Sequence, residues 1–171
     1  MKKLNSAHKL IILAVFIIIV AILAAVVIFV GKAREDTSET VAMVVLSKTY
    51  NATLQDYENL NNTTQGVADS GLVLDYFHTL YGEQLTENGY KTFISNRIPN
   101  IATNMAHKEN SDIKVTSIEL EPKTPVQGSQ SYFFTIQAQT EKDVSKSLTF
   151  TGNITLVREN GQWKVDGASP H

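Results

Sequence analysis

No cysteine occurs in the 171-residue chain, so disulfides, thiolate metal sites and cysteine nucleophiles are all excluded. Proline and glycine are sparse, at four and nine residues, which rules out a collagen-like or low-complexity chain. Neither a glycine-rich phosphate loop nor a Gly-x-Ser-x-Gly turn is present, so the local signs of nucleotide binding and of serine hydrolysis are missing. Basic charge is not in surplus either. Beyond Gly31 the chain keeps 12 of its 15 Lys and Arg against all 17 Asp and Glu, a net of −5. A surface that binds phosphate backbones needs the opposite balance, so no direct nucleic-acid contact is expected.

What the chain does have is one long apolar run. Leu10 to Val30, LIILAVFIIIVAILAAVVIFV, contains no charge, glycine or proline. At 1.5 Å per residue it covers about 30 Å, the thickness of a bilayer's hydrocarbon core. A cleavable signal would be shorter and followed by small residues; here Gly31-Lys32-Ala33-Arg34 follows. The run reads as an uncleaved transmembrane helix. Lys2, Lys3 and Lys9 precede it, and Lys32 and Arg34 follow. The positive-inside rule then predicts a cytoplasmic amino end over residues 1–9 and a short joint over 31–36. Residues 37–171 become an extracytoplasmic domain at the cell membrane.

Within that domain the first half carries helical spacing. Asp36-x-x-Glu39 marks a helix start, and Met43, Leu46, Tyr50, Tyr57 and Leu60 recur at three- and four-residue steps. The stripe either packs on its own domain or forms a short coiled-coil seam. Asn61 to Gly66 reads as a loop. A second helix runs from Ser70 to Leu80, with Leu72, Val73, Tyr76, Phe77 and Leu80 turned inward and Gly82 ending it. A third, from Thr86 to Asn96, buries Tyr90, Phe93 and Ile94, and Pro99 closes the helical half.

Beyond Asn110 the period changes to two. Asp112 to Leu120 is a strand with a phase slip near Thr116-Ser117, the mark of a bulge. Tyr132 to Gln139 and Leu148 to Val157 alternate more evenly. In the latter, Leu148, Phe150, Ile154 and Leu156 face one way, and Thr149, Thr151, Asn153 and Thr155 the other. Gly152 falls on the apolar side, where a missing side chain permits a bend or a close helix. Asn160-Gly161 is a type I′ hairpin signal. A two-residue loop there pairs Arg158 with Trp163 and Leu156 with Val165, placing the one Trp at the end of an apolar sheet face that three amphipathic helices would cover.

The order of three helices and four antiparallel strands, ending in Glu159-Asn160-Gly161-Gln162-Trp163-Lys164-Val165, resembles the nuclear-transport-factor-two-like, or cystatin-like, fold. That resemblance implies an α+β cone in which helices lie against a curved four-stranded sheet. Together with the amino-terminal span, the chain also resembles the single-span assembly component of conjugative type IV secretion systems, in the versions from Gram-positive plasmids and transposons. The resemblance implies a non-enzymatic scaffold for plasmid transfer that associates with itself and with other channel proteins. The Asn-Pro-x-Gly motif of the proteobacterial members is absent, so no interface residue is carried over.

Two further classes stay open: a membrane-tethered ligand-binding module of the same fold, and an enzyme of that fold. The best acid–base candidates, Asp75, Tyr76 and His78, lie on the second helix, where Asp75 and His78 flank its apolar side and read as solvated. His107, placed in a loop, and terminal His171 lack a second ligand at metal spacing. No catalytic residue, metal or cofactor is therefore expected. The polar strand face, Thr149, Thr151, Asn153 and Thr155 with Lys164 and Asp166 beside it, is the candidate contact surface; an ordinary solvent-facing sheet side is the alternative. Asn160, Gly161, Trp163 and Val165 are expected to carry the fold.

Overall fold

The computed structural model describes residues 37–64 and 70–171. The apolar run Leu10–Val30, its flanks and the helix start expected at Asp36 lie outside these residues. Among the described residues, no helix is long and apolar enough to cross a membrane.

The domain is α+β: helices precede a four-stranded antiparallel sheet whose order, β1-β2-β3-β4, follows the chain. The helices are α1 (Ser38–Tyr50), α2 (Leu54–Thr64), α3 (Ser70–Tyr81), α4 (Glu87–Ser95) and α5 (Ile98–Glu109), with a 3₁₀ turn at Gly82–Gln84. The strands are β1 (Ile113–Pro122), β2 (Ser129–Thr140), β3 (Ser147–Glu159) and β4 (Gln162–Pro170).

The stripe read as one helix is two. α1 is capped by Thr37, whose hydroxyl accepts from Thr40 N, and stops at Tyr50. The chain then runs extended, and Ala52 exchanges backbone hydrogen bonds with Ile113 at the start of β1. Asn51 Oδ1 accepts from Val115 N (2.9 Å), which fastens the break to the sheet. α2 is restarted by a reciprocal capping box: Thr53 Oγ1 accepts from Asp56 N, and Asp56 Oδ2 accepts from Thr53 N. α2 continues through Thr64, so Asn61 to Thr64 is helix rather than loop. Within α1 the buried set is Ser38, Ala42, Val45, Leu46, Thr49 and Tyr50. Met43, expected inside, is on the outside at 38% exposure because small Ala42 takes the central position.

Pro99 does not close the helical half. It sits in the first turn of α5, where its missing N–H would have had no intrahelical partner. His107 is accordingly on a helix, its ring stacked on Tyr57 of α2 at 4.1 Å and 8°. α4 begins as read: Thr86 Oγ1 accepts from Gly89 N (2.9 Å).

The strands follow the period-two reading closely. The slip in β1 is a bulge between Val115 and Ser117. Tyr132, Phe134, Ile136 and Ala138 of β2 and Ile154 and Leu156 of β3 are buried. The hairpin has a two-residue loop with positive φ at Asn160 (53°) and Gly161 (83°), and Arg158 pairs with Trp163 as expected. A second register break lies between Thr155 and Leu156 of β3, opposite Asp166 of β4. Gly152 admits no helix: a Cβ there would lie 2.6 Å from the Phe134 ring and from Ser169 O, so the aromatic fills the gap.

The core lies between the inner sheet face and the helices, with Leu46, Tyr50, Tyr81, Phe93, Phe134, Ile136, Ile154, Leu156 and Val165 almost fully buried. Each such side chain stabilises the fold by about 1.5–3 kcal/mol relative to exposure.

Candidate functional site

On the outer sheet face, Thr151 pairs with Thr135, Thr155 with Ser131, Thr149 with Gln137 and Asn153 with Phe133. Side-chain hydrogen bonds cross these rows: Ser131 Oγ lies 2.9 Å from Thr155 Oγ1, and Thr149 Oγ1 donates to Gln137 Oε1 at 2.9 Å. These two bonds satisfy part of the face and lower the cost of covering it, whereas Asn153 Oδ1 is buried without a partner among the described residues. Thr149 is exposed, while Thr151, Asn153 and Thr155 are half-buried by their neighbours. Phe133 supplies one aromatic ring on this side. His171 stacks on it at 6.5 Å and 17°, and Asn153 Nδ2 lies 2.7 Å from His171 Nε2.

Lys164 stays beside this surface, its Nζ 2.6 Å from Glu159 Oε2. Asp166 does not join it. At the β3–β4 register break its carboxylate accepts from Thr86 Oγ1 (2.6 Å) and Asn88 Nδ2 (3.1 Å), tying β4 to the start of α4.

Trp163 is half-buried against the core. The Arg158 guanidinium lies 5.6 Å over its ring, an attraction of about 0.5–1 kcal/mol at an exposed site. Val41 and Val44 of α1, Gln84 and Trp163 line a shallow groove of about 180 Å³. Val165 is fully buried, and its carbonyl accepts from Thr86 N (2.9 Å).

The strand pattern did not announce a cleft of about 200 Å³ among α1, α2, α3 and α5, lined by Lys48, Asp56, Leu60, Tyr76, Leu80 and Pro99, among others. Its charged groups have partners within the fold. Lys48 Nζ donates to Gln84 Oε1 (3.0 Å) and reaches the Leu80 carbonyl, while Asp56 caps α2. Burial and then the Asp56 carboxylate raise the Tyr76 phenol above its ordinary pKa. Thr53-x-x-Asp56 was the sequence sign that a helix begins here, and it lay hidden inside a longer apolar stripe.

Asp75 and His78 of α3 are both exposed, and the His78 ring lies 4.0 Å from that of Tyr90. Tyr76 turns toward the cleft, so these three candidates do not converge on one point. Among the described residues, no cluster of three or more His, Asp and Glu is arranged to hold a metal ion.

No family model matches the chain, and no curated protein matches its sequence. Among solved structures, a periplasmic fragment of TraM is similar with a TM-score of 0.43 and 11% sequence identity, over 78% of this chain and 96% of that one.

Proposed function

We propose that the chain is a membrane-anchored scaffold, an assembly component of a conjugative type IV secretion channel, and that it works by contact rather than catalysis. In this reading Leu10–Val30 crosses the cell membrane, the amino end is cytoplasmic, and the described α+β domain, a cystatin-like cone, meets other channel proteins and further copies of itself outside. Its supports are the uninterrupted apolar run, the order of elements, and the chemistry of the outer sheet face.

The observation that carries the contact surface is the row of cross-strand hydroxyl and amide pairs at Thr149, Thr151 and Thr155, next to the Phe133 ring. Interfaces concentrate their energy in a few aromatic anchors ringed by groups that exclude water at small cost. Thr151→Arg puts an unpaired cation at the centre of that surface. Self-association measured by sedimentation is expected to weaken with circular dichroism unchanged; assembly identical to wild type would remove this face from the proposal. The anchor has its own test, since alkaline washing of vesicles is expected to leave the full-length chain with the membrane.

The cleft among α1, α2, α3 and α5 favours a second reading, a tethered ligand-binding module. Its volume of about 200 Å³ is below the roughly 300–1,000 Å³ of ordinary small-molecule sites, so the scaffold reading is preferred. A hydrophobic compound retained through purification would reverse that preference.

A further inference from the structure

The dipeptide Asn-Gly occurs twice, at Asn88-Gly89 and at Asn160-Gly161. Both carry the same chemical hazard. The backbone nitrogen that follows an asparagine can attack the side-chain amide, and glycine, without a Cβ, obstructs that attack least. The fold treats the two copies differently.

Asn160 and Gly161 are both exposed and form the loop of the β3–β4 hairpin. Among the described residues, neither the Asn160 side chain nor the Gly161 N–H has a hydrogen-bond partner, and the space where a Cβ would sit on Gly161 is open. At the other copy both reacting groups are held. Asn88 Nδ2 donates to Asp166 O and Asp166 Oδ2, each at 3.1 Å. Gly89 N donates to Thr86 Oγ1 at 2.9 Å, is buried, and lies in the first turn of α4 against the Val165 carbonyl.

We propose that Asn160 is a site of spontaneous deamidation in the folded protein, and that the fold protects Asn88. Gly161 N, after losing its proton to solvent base, attacks Asn160 Cγ. The new C–N bond closes a five-membered imide, the Cγ–Nδ2 bond breaks, and the amide nitrogen leaves as ammonia after taking up a proton from water. Water then adds to one imide carbonyl. Opening at Cγ yields aspartate; opening at the backbone carbonyl yields isoaspartate. The balance is asparagine plus water to an acid plus ammonia, with no oxidant or reductant.

The isoaspartyl product carries an extra backbone atom in a loop whose two residues must both adopt positive φ. It therefore loosens the pairing of Arg158 with Trp163, and the negative charge it adds lies next to Glu159. Reaction at Asn88 requires the start of α4 to detach from Asp166 and Thr86. Each 1.4 kcal/mol of that opening slows the reaction about tenfold.

The test is to hold the full chain, folded in mildly alkaline buffer, for days and then digest it with trypsin. Cleavage after Arg158 and Lys164 isolates Glu159–Lys164, and cleavage after Lys48 and Lys91 isolates Thr49–Lys91. Tandem mass spectrometry then assigns the amide-to-acid conversion to Asn160 and to Asn88 within these peptides, apart from Asn51, Asn59, Asn61 and Asn62, and isoaspartyl methylation identifies the isomer. A urea-unfolded sample supplies the reference rate for each site. In the folded chain, conversion at Asn160 is expected to exceed that at Asn88 by about tenfold or more, with isoaspartate in the Glu159–Lys164 peptide. Comparable conversion at the two sites in the folded chain would overturn the proposal. So would an intact Asn160 under conditions where the unfolded chain reacts.

Discussion

Replacing Tyr50 with phenylalanine should stabilise this protein, although Tyr50 is 1% exposed and sits in the centre of the core. Its ring lies 4.9 Å from that of Phe150 and 5.9 Å from that of Phe134, contacts that phenylalanine keeps. Its hydroxyl is buried and finds no partner among the described residues. An unsatisfied buried hydroxyl costs about 1–3 kcal/mol, so Tyr50→Phe is expected to gain about 1 kcal/mol at neutral pH. For a domain of this size that raises the melting temperature by about 3–4 °C.

Tyr81 is the control. Thr49 Oγ1 donates its one proton to Val45 O (2.7 Å), so Tyr81 O–H is the donor in the 3.0 Å bond between them. Tyr81→Phe breaks that bond and should cost about 0.5–1.5 kcal/mol. Opposite signs for two buried tyrosines of one core are the essence of the prediction.

Alkaline pH sharpens it. Burial pushes the Tyr50 phenol up to about 12 from its ordinary value near 10. The folded state therefore holds its proton where the unfolded chain releases it. The stability linked to the neutral phenol is intact below pH 10 and is lost as pH rises from about 10 to 12. Two pH units correspond to about 2.7 kcal/mol. Urea unfolding at pH 8 and again near pH 11 should show the advantage of Tyr50→Phe growing with pH. Tyr81, also raised chiefly by burial, leaves some alkaline sensitivity in the variant. A variant less stable than wild type at pH 8 by 1 kcal/mol or more would mean that the hydroxyl has a partner, and the reasoning would be refuted.

Two other expectations concern the backbone. Gly152→Ala drives a methyl group against the fully buried Phe134 ring and the Ser169 carbonyl, and should cost about 1–3 kcal/mol in chemical denaturation. Arg97 caps α5 in the left-handed region (φ 50°, ψ 37°) with no side-chain hydrogen bond to the helix. Arg97→Gly relieves roughly 1–2 kcal/mol of strain against glycine's added chain entropy, for a net gain of about 0.5–1 kcal/mol; a loss in urea unfolding would assign the arginine a stabilising contact.

The strands were legible because their signals are local. Period-two alternation placed Ile154 and Leu156 on the apolar face, which is buried, and Asn160-Gly161 set the register that aligns Arg158 with Trp163. The helical half was less legible, because one of its boundaries depends on a distant partner and another on the turn that follows it. Nothing near Asn51–Thr53 says that the chain must straighten to pair with Ile113, sixty residues away, and Pro99 resembles a stop until the turn after it proves to be helix. The cleft among four helices draws on residues from Lys48 to Thr103 and had no contiguous signature.

By itself the sequence determined the class of the domain, the face each strand presents, and the hairpin that positions Trp163, since alternation and turn chemistry act between near neighbours. Tertiary structure alone decided that Asp166 leaves the strand face to hold α4, that Gly152 makes room for an aromatic ring, and that one Asn-Gly pair is pinned while the other is free. The physical reason is the same in each case: these are contacts between residues far apart in the chain, and hydrogen bonds and packing exist only once the fold has brought both partners together.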